Sequence, residues 1–343
     1  MKSSGKIINP LVTRRLFLLV AVLLAASFPA LAQESKFVNG VEIHPVLGPI
    51  GVNDHRLPYH LDSILGLLLV AYAIAVALLL NNAQPRARTL GVWAAVLGCV
   101  GVAGGILWLN TMGYFEELRP ALLPTDPAKP TMMLLLAAAF GISALALIPV
   151  AIAQSKRTDV LVLEKQNSVD RYGGRARFFH WTIAVLFLLL IPMGIFTSMI
   201  PVDQEYRQAY YVIHKSLGFT VLILAIARLA WLIFSPRTHL DPELKGWERF
   251  SAHAAHYALY FFLFAFPVSG FVLSTYGGKL SHFFFWDTPL FWDYSLEKVK
   301  LPSLLHKLLL PVLFYLVFLA HVVGALKHQF VDKHRGAFRR MIT

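Results

Sequence analysis

Seven stretches of the chain are apolar for long enough to cross a bilayer: Ile64–Leu80, Leu90–Leu109, Thr131–Ala153, Phe178–Ile200, Val212–Phe234, Tyr257–Thr275 and Leu304–Leu326. Each is near the ~20 residues that a membrane helix needs. Hydrocarbon offers the backbone no hydrogen-bond partner, so each stretch is expected to be an α-helix. The polar segment Ser155–Arg177 is basic and long for a helix connection. It divides the chain into a three-helix N-terminal unit, rich in Ala, Leu and Gly, and a four-helix C-terminal unit with His at its helix ends. The N-terminal helices hold no His and no charge. Prolines 149, 192, 267 and 311 lie in or near helices and are expected to be tolerated kinks. The pattern predicts an all-α integral membrane protein: residues 33–154 a first segment and three helices, 155–177 a linker, 178–343 a four-helix bundle.

Upstream of these runs, Lys2, Lys6, Arg14 and Arg15 precede an apolar stretch, Leu16–Ala26, and a small-residue site, Ala30-Leu31-Ala32. Residues 1–32 thus read as a secretory signal peptide. An uncleaved first membrane helix would leave Gln33 on the same side. With Gln33 in the periplasm, the inner loops 81–89, 154–177, 235–250 and the tail from Lys327 carry sixteen Lys and Arg, against eight in the outer loops. That bias agrees with the positive-inside rule and puts the C-terminus in the cytoplasm.

Composition narrows the chemistry. The chain is 57% hydrophobic and 15% charged, which excludes an ordinary water-soluble domain. The net charge of +12 is spread between apolar runs, so it reads as membrane orientation and not as a nucleic-acid surface. A single cysteine, Cys99, excludes an internal disulfide, thioether-linked haem and a thiolate-held iron–sulfur cluster. Thirteen histidines remain as candidate ligands.

Ionisable residues in membrane helices are functional candidates by default. With the orientation fixed, His180 opens its helix at the cytoplasmic side, His214 at the periplasmic side, His253 and His256 at the cytoplasmic side, and His306 at the periplasmic side. His321 follows His306 in the same helix, roughly 22 Å further along its axis and on broadly the same side. His214 matches the depth of His306, and His180 that of His321. Two His–His pairs therefore stack across a four-helix bundle, the kind of core that holds cofactors between facing helices. Bis-imidazole ligation fills both axial positions of a haem iron and suits electron transfer. The pairs lie too far apart in depth to converge on one tetrahedral zinc.

Other residues join the list more loosely. His256 is placed to contact a quinone or to replace His180 as a ligand. His328 lies one heptad beyond His321, as a quinone or proton-transfer residue or a solvated tail His. Arg228 is placed either to pair with a haem propionate or to snorkel to the headgroups. His239, His282 and His334 lie in loops and carry no assigned role. His44, His55 and His60 fit no metal-binding spacing. The aromatics Phe283 to Trp286 and Phe291 to Tyr294 read as an interfacial belt, or as a lid over a docking site.

The C-terminal half resembles the bacterial cytochrome b561 family. The matching stretches are Arg177-Phe-Phe-His180-Trp181, His214-Lys-Ser-Leu-Gly218 with Arg228-Leu229, His253-Ala-Ala-His256-Tyr-Ala-Leu-Tyr260 with Pro267-Val-Ser-Gly270, Leu305-His306-Lys307, and His321-Val-Val-Gly-Ala-Leu-Lys-His328 closing on Arg340-Met341. The resemblance implies a four-helix, two-haem cytochrome of the bacterial inner membrane that exchanges electrons with ubiquinone. Some members resemble superoxide oxidases. The family's haem ligands fall on His180, His214, His306 and His321, and His256 and His328 match its additional, non-ligand histidines. The three N-terminal helices depart from the usual member, so a periplasmic redox protein or dehydrogenase subunit, for which the chain would be a membrane anchor, is the alternative partner. A transporter is the distant alternative, against which the helix interiors lack acidic residues.

Overall fold

Every one of these apolar runs becomes a helix, and each helix is longer than its run. In the computed structural model α1 spans Leu61–Leu80, α2 Pro85–Thr111, α3 Lys129–Ser155, α4 Gly174–Met199, α5 Arg207–Phe234 and α6 Gly246–Tyr276. The last membrane helix has two parts, α7 Leu296–Leu304 and α8 Leu310–Phe330, joined by a π-helical turn at Leu305–Leu309. All seven are long and apolar enough to cross a membrane, so the protein is an all-α, multi-pass membrane protein. The structure describes residues 42–44, 48–50, 58–112, 129–160, 164–168, 171–200, 207–236, 238–239, 244–332 and 339–342. The signal-like segment, His55 and His334 lie outside them.

The helices gain length at their polar ends, where side chains satisfy free backbone groups. At the start of α6 the Lys245 N–H donates to the Glu248 carboxylate at 3.0 Å. Ser295 caps α7 by accepting from the Lys298 N–H at 3.3 Å. The longer ends bring Asp62 into α1 and Arg88 into α2, both fully buried, so the N-terminal helices do contain charge. The two terminal nitrogens of Arg88 donate to the carbonyls of Asn82, Ala83 and Asp159 at 3.0, 2.6 and 3.0 Å.

One apolar core runs through both groups of helices. Ala73 of α1, Ile106 of α2 and Met133, Leu136 and Ala137 of α3 share it with Leu186, Phe187 and Leu190 of α4 and with Leu217 and Val221 of α5. Helix α1 lies against α4 and α5. The segment before α4 is tied down as well. Asn167 donates to the Pro236 carbonyl and accepts from the Gly173 N–H at 2.9 Å. A Cβ at Gly173 would come within 2.3 Å of the Gln166 carbonyl, so only glycine fits there.

Two small antiparallel hairpins complete the fold, β1 (Glu42–His44) with β2 (Gly48–Ile50) and β3 (Ser281–Phe283) with β4 (Trp286–Thr288). Phe284, at the tip of the second, has φ 54°, an uncommon region for a bulky side chain. Packing holds it there. Its N–H donates to Ser216 Oγ at 2.7 Å, and its ring approaches Gly66 of α1 so closely that a Cβ there would lie 3.1 Å away. Phe284 is therefore buried inside the protein, while Phe285 and Trp286 are exposed.

Candidate functional site

Helices α4, α5, α6 and the α7–α8 rod bring the sequence-selected histidines together in two groups. His214 of α5 and His306 of the π turn face each other with ring centres 6.1 Å apart. His180 of α4 and His321 of α8 do the same at 6.4 Å. Two imidazoles on opposite sides of one metal, with each nitrogen about 2 Å from it, hold their ring centres roughly 6 Å apart. Both pairs meet that spacing.

The π turn that carries His306 follows from the sequence just after it. Pro311 has no N–H, and its ring clashes with the carbonyl four residues back in a regular helix. The turn widens instead, and the Leu310 N–H bonds the Leu305 carbonyl five residues back. The His306 ring then reaches α6, where Nδ1 lies 3.1 Å from the Phe266 carbonyl and 3.1 Å from Ser269 Oγ. A carbonyl only accepts, so the proton sits on Nδ1 and the Nε2 lone pair is left for a metal.

Two glycines make room for these rings. A Cβ at Gly270 of α6 would lie 2.6 Å from His306 Cε1, and one at Gly194 of α4 would lie 2.7 Å from His214 Cε1. Each imidazole thus lies flush on a neighbouring helix at a point where any side chain would displace it. Beside the rings is a cavity of about 150 Å³. It is lined by both histidines, by Gly194, Gly218 and Gly270, and by Lys215 and Lys307, with no acidic side chain.

At the other end of the bundle three histidines meet. The His256 ring of α6 stands 5.4 Å from that of His321. Arg228 is within Coulombic range of His180, His256 and His321, and its Nε donates to the Tyr260 hydroxyl at 3.1 Å. His328 is not part of this group. Its Nδ1 lies 2.8 Å from the Asp332 carboxylate, and Lys327 bridges Asp332 at 2.8 Å to Glu248 at 2.7 Å. His253 is exposed and stacks on Tyr257.

Three contributors escape a reading of the sequence. Gly194 and Ser269 act only through a neighbouring helix. His282, a loop residue by sequence, is fully buried, with Nδ1 2.5 Å from the Asp287 carboxylate and Nε2 3.1 Å from the Gln208 amide. It ties the second hairpin to the start of α5.

A membrane-embedded helix bundle with paired, half-buried imidazoles near both ends is the architecture of a membrane cytochrome b. The comparisons agree. The family described as prokaryotic cytochrome b561 matches residues 171–343. Cytochrome b561 homolog 2 of Escherichia coli strain K12 is 30% identical over 177 residues, which cover 51% of this chain and 93% of that protein. The chain belongs to the prokaryotic cytochrome b561 family, whose members are membrane electron-transfer proteins with b-type haem.

The residues present fit that cofactor. Each pair of rings stands at a separation at which both imidazoles would hold one metal ion. His306 is held with its proton on Nδ1, which leaves Nε2 for a metal. The glycines keep the facing helices clear of the rings.

Proposed function

We propose that the protein is a di-haem b-type cytochrome of the bacterial inner membrane that moves electrons across it to or from the quinone pool. The observation that carries this is the pair of 6.1 and 6.4 Å histidine contacts, one near each end of the same rod. His214 and His306 would hold one haem, and His180 and His321 the other. His256 is too close to His321 to share a metal with it at the same spacing, which supports its role as a neighbour of the site. Arg228 is the residue to pair with a propionate. Haem ligated by two imidazoles supplies one-electron chemistry at a closed iron.

Of the two subtypes, the superoxide-oxidising, quinone-reducing one is favoured by a specific feature. The outer cavity is lined by Lys215 and Lys307 and by no carboxylate, so its field draws an anion inward. The test has two stages. Purified protein should give a b-type reduced-minus-oxidised spectrum with two haems per chain. Enzymatically generated superoxide should then reduce the haems at a rate that falls with ionic strength and falls further in Lys215→Gln and Lys307→Gln. A rate indifferent to salt and to both substitutions would remove the superoxide reading. Absence of a b-type spectrum would remove the whole proposal.

A further inference from the structure

A groove outside the histidine groups uses a helix that the cytochrome bundle itself lacks. It measures about 840 Å³ and opens between the end of α1, the start of α4 and the second half of α5. Its floor is shallow because Ala227 and Ala230, three residues apart on α5, present only methyl groups. Its walls are the aliphatic Leu78 of α1 and the rings of Phe178 and Phe234, and both Leu78 and Phe234 face outward. A trough of this kind suits an extended hydrocarbon chain.

The mouth is polar and basic. Lys165 and Arg175 sit there, against the single acid Glu164. The Arg175 guanidinium lies 4.8 Å above the Trp231 ring, which holds it at the rim and does not neutralise it. Two buried polar atoms at the same end have no hydrogen-bond partner, the Trp231 indole N–H and the Asn81 amide oxygen. Asn81 donates its own amide N–H to the Gly174 carbonyl at 2.8 Å, which leaves its oxygen as the open acceptor. A donor, an acceptor and two cations at the head of an apolar trough are what a phospholipid with an anionic, hydroxyl-bearing headgroup matches: phosphate to Arg175 and Lys165, headgroup hydroxyl to Asn81. Basic pockets between membrane helices are established sites of anionic lipid recognition.

We propose that this groove binds one anionic phospholipid, held at the seam between the N-terminal helices and the cytochrome bundle. Leu78 and Asn81 at the end of α1 line one side of the site, so the lipid would be a third surface joining α1 to α4 and α5.

Trp231 makes the test direct. The full-length protein is reconstituted in phosphatidylcholine vesicles containing brominated phosphatidylglycerol or brominated phosphatidylcholine, and tryptophan quenching is compared. With one net positive charge at the mouth, the brominated anionic lipid should be preferred about fivefold. The excess quenching should vanish in Trp231→Phe, which leaves the other six tryptophans as background. It should also vanish in the double variant Lys165→Glu, Arg175→Glu, whose integrity is checked by an unchanged haem spectrum. Equal quenching by both lipids would make the groove ordinary lipid annulus. Displacement of the brominated anionic lipid by millimolar inorganic phosphate, or by ubiquinone, would assign the groove to a free anion or a quinone. Each of these outcomes overturns the proposal.

Discussion

Replacing Gly270 by Ala adds one methyl group to α6, and the structure says where it goes. The new Cβ would stand 2.6 Å from His306 Cε1, and ordinary contact begins at 3.4 Å. The ring would have to withdraw by about 0.8 Å, beyond the roughly 0.5 Å within which a functional constellation must be held. Withdrawal also strains the link from His306 Nδ1 to the Phe266 carbonyl, on the same helix one turn earlier and already at 3.1 Å. Helix propensity works in the opposite sense, since Ala is favoured over Gly by about 1 kcal/mol in a helix interior. Loss of haem from Gly270→Ala would therefore report ring displacement and not helix weakening. Haem content of the purified variant, measured as the pyridine haemochromogen, should fall from two per chain toward one. Gly194→Ala should act the same way through His214. Gly104→Ala, where a Cβ meets nothing within 4 Å, is the control and should keep both haems. A Gly270→Ala protein as fully loaded as the control would refute the idea that this glycine seats the ligand.

Further outcomes follow from other contacts. Substituting His214 or His306 by Ala should remove one haem, and substituting His180 or His321 the other, whereas His256→Ala should keep both; loss of a haem from His256→Ala with retention in His180→Ala would reassign the inner pair. A chain starting at Ser155 should still insert and bind haem, because lipid can replace the apolar faces of α1 to α3, but should unfold at lower temperature because those helices share its core; an inserted, haem-free product would show that they belong to the cofactor scaffold. A periplasm-only reporter fused after Thr343 should be inactive, and a strongly active fusion would reverse the assigned depths. The Asp332 carboxyl is held below its ordinary value of 3.8, first by the Lys327 ammonium and then by His328. Its contribution to stability is thus complete above that value and is lost as pH falls through the depressed one, so melting curves between pH 6 and 3 should show an acid loss that Asp332→Asn lacks.

The helices were legible because lipid leaves an apolar run of this length no alternative structure. The histidine pairs were legible because one helix carries both His306 and His321 at a spacing that fixes their relative depth and side. What stayed hidden needed a second element to reveal it. Gly194 sits in an apolar run like any other small residue, and only α5 gives it a ring to accommodate. Phe284 looks like its exposed neighbours until Ser216 captures its N–H and turns it inward. The seat of α1 on α4 and α5 leaves no trace in the sequence, since a membrane helix is apolar on its lipid face and on its protein face alike. The π turn announces itself only through Pro311, which is equally compatible with a simple kink.

The rod formed by α7 and α8 supplies one histidine to each pair, and it is made after α4, α5 and α6. His180 and His214 are in place while their partners have not yet been translated. At about 5 to 20 residues per second, the stretch from His214 to His321 takes roughly 5 to 20 s to emerge. During that interval the half-built bundle offers single imidazoles only, and α1 is already present as a surface for α4 and α5 to settle on. Neither histidine pair exists until that rod enters the bilayer, so both ends of the bundle are completed together, by one late event in the birth of the molecule.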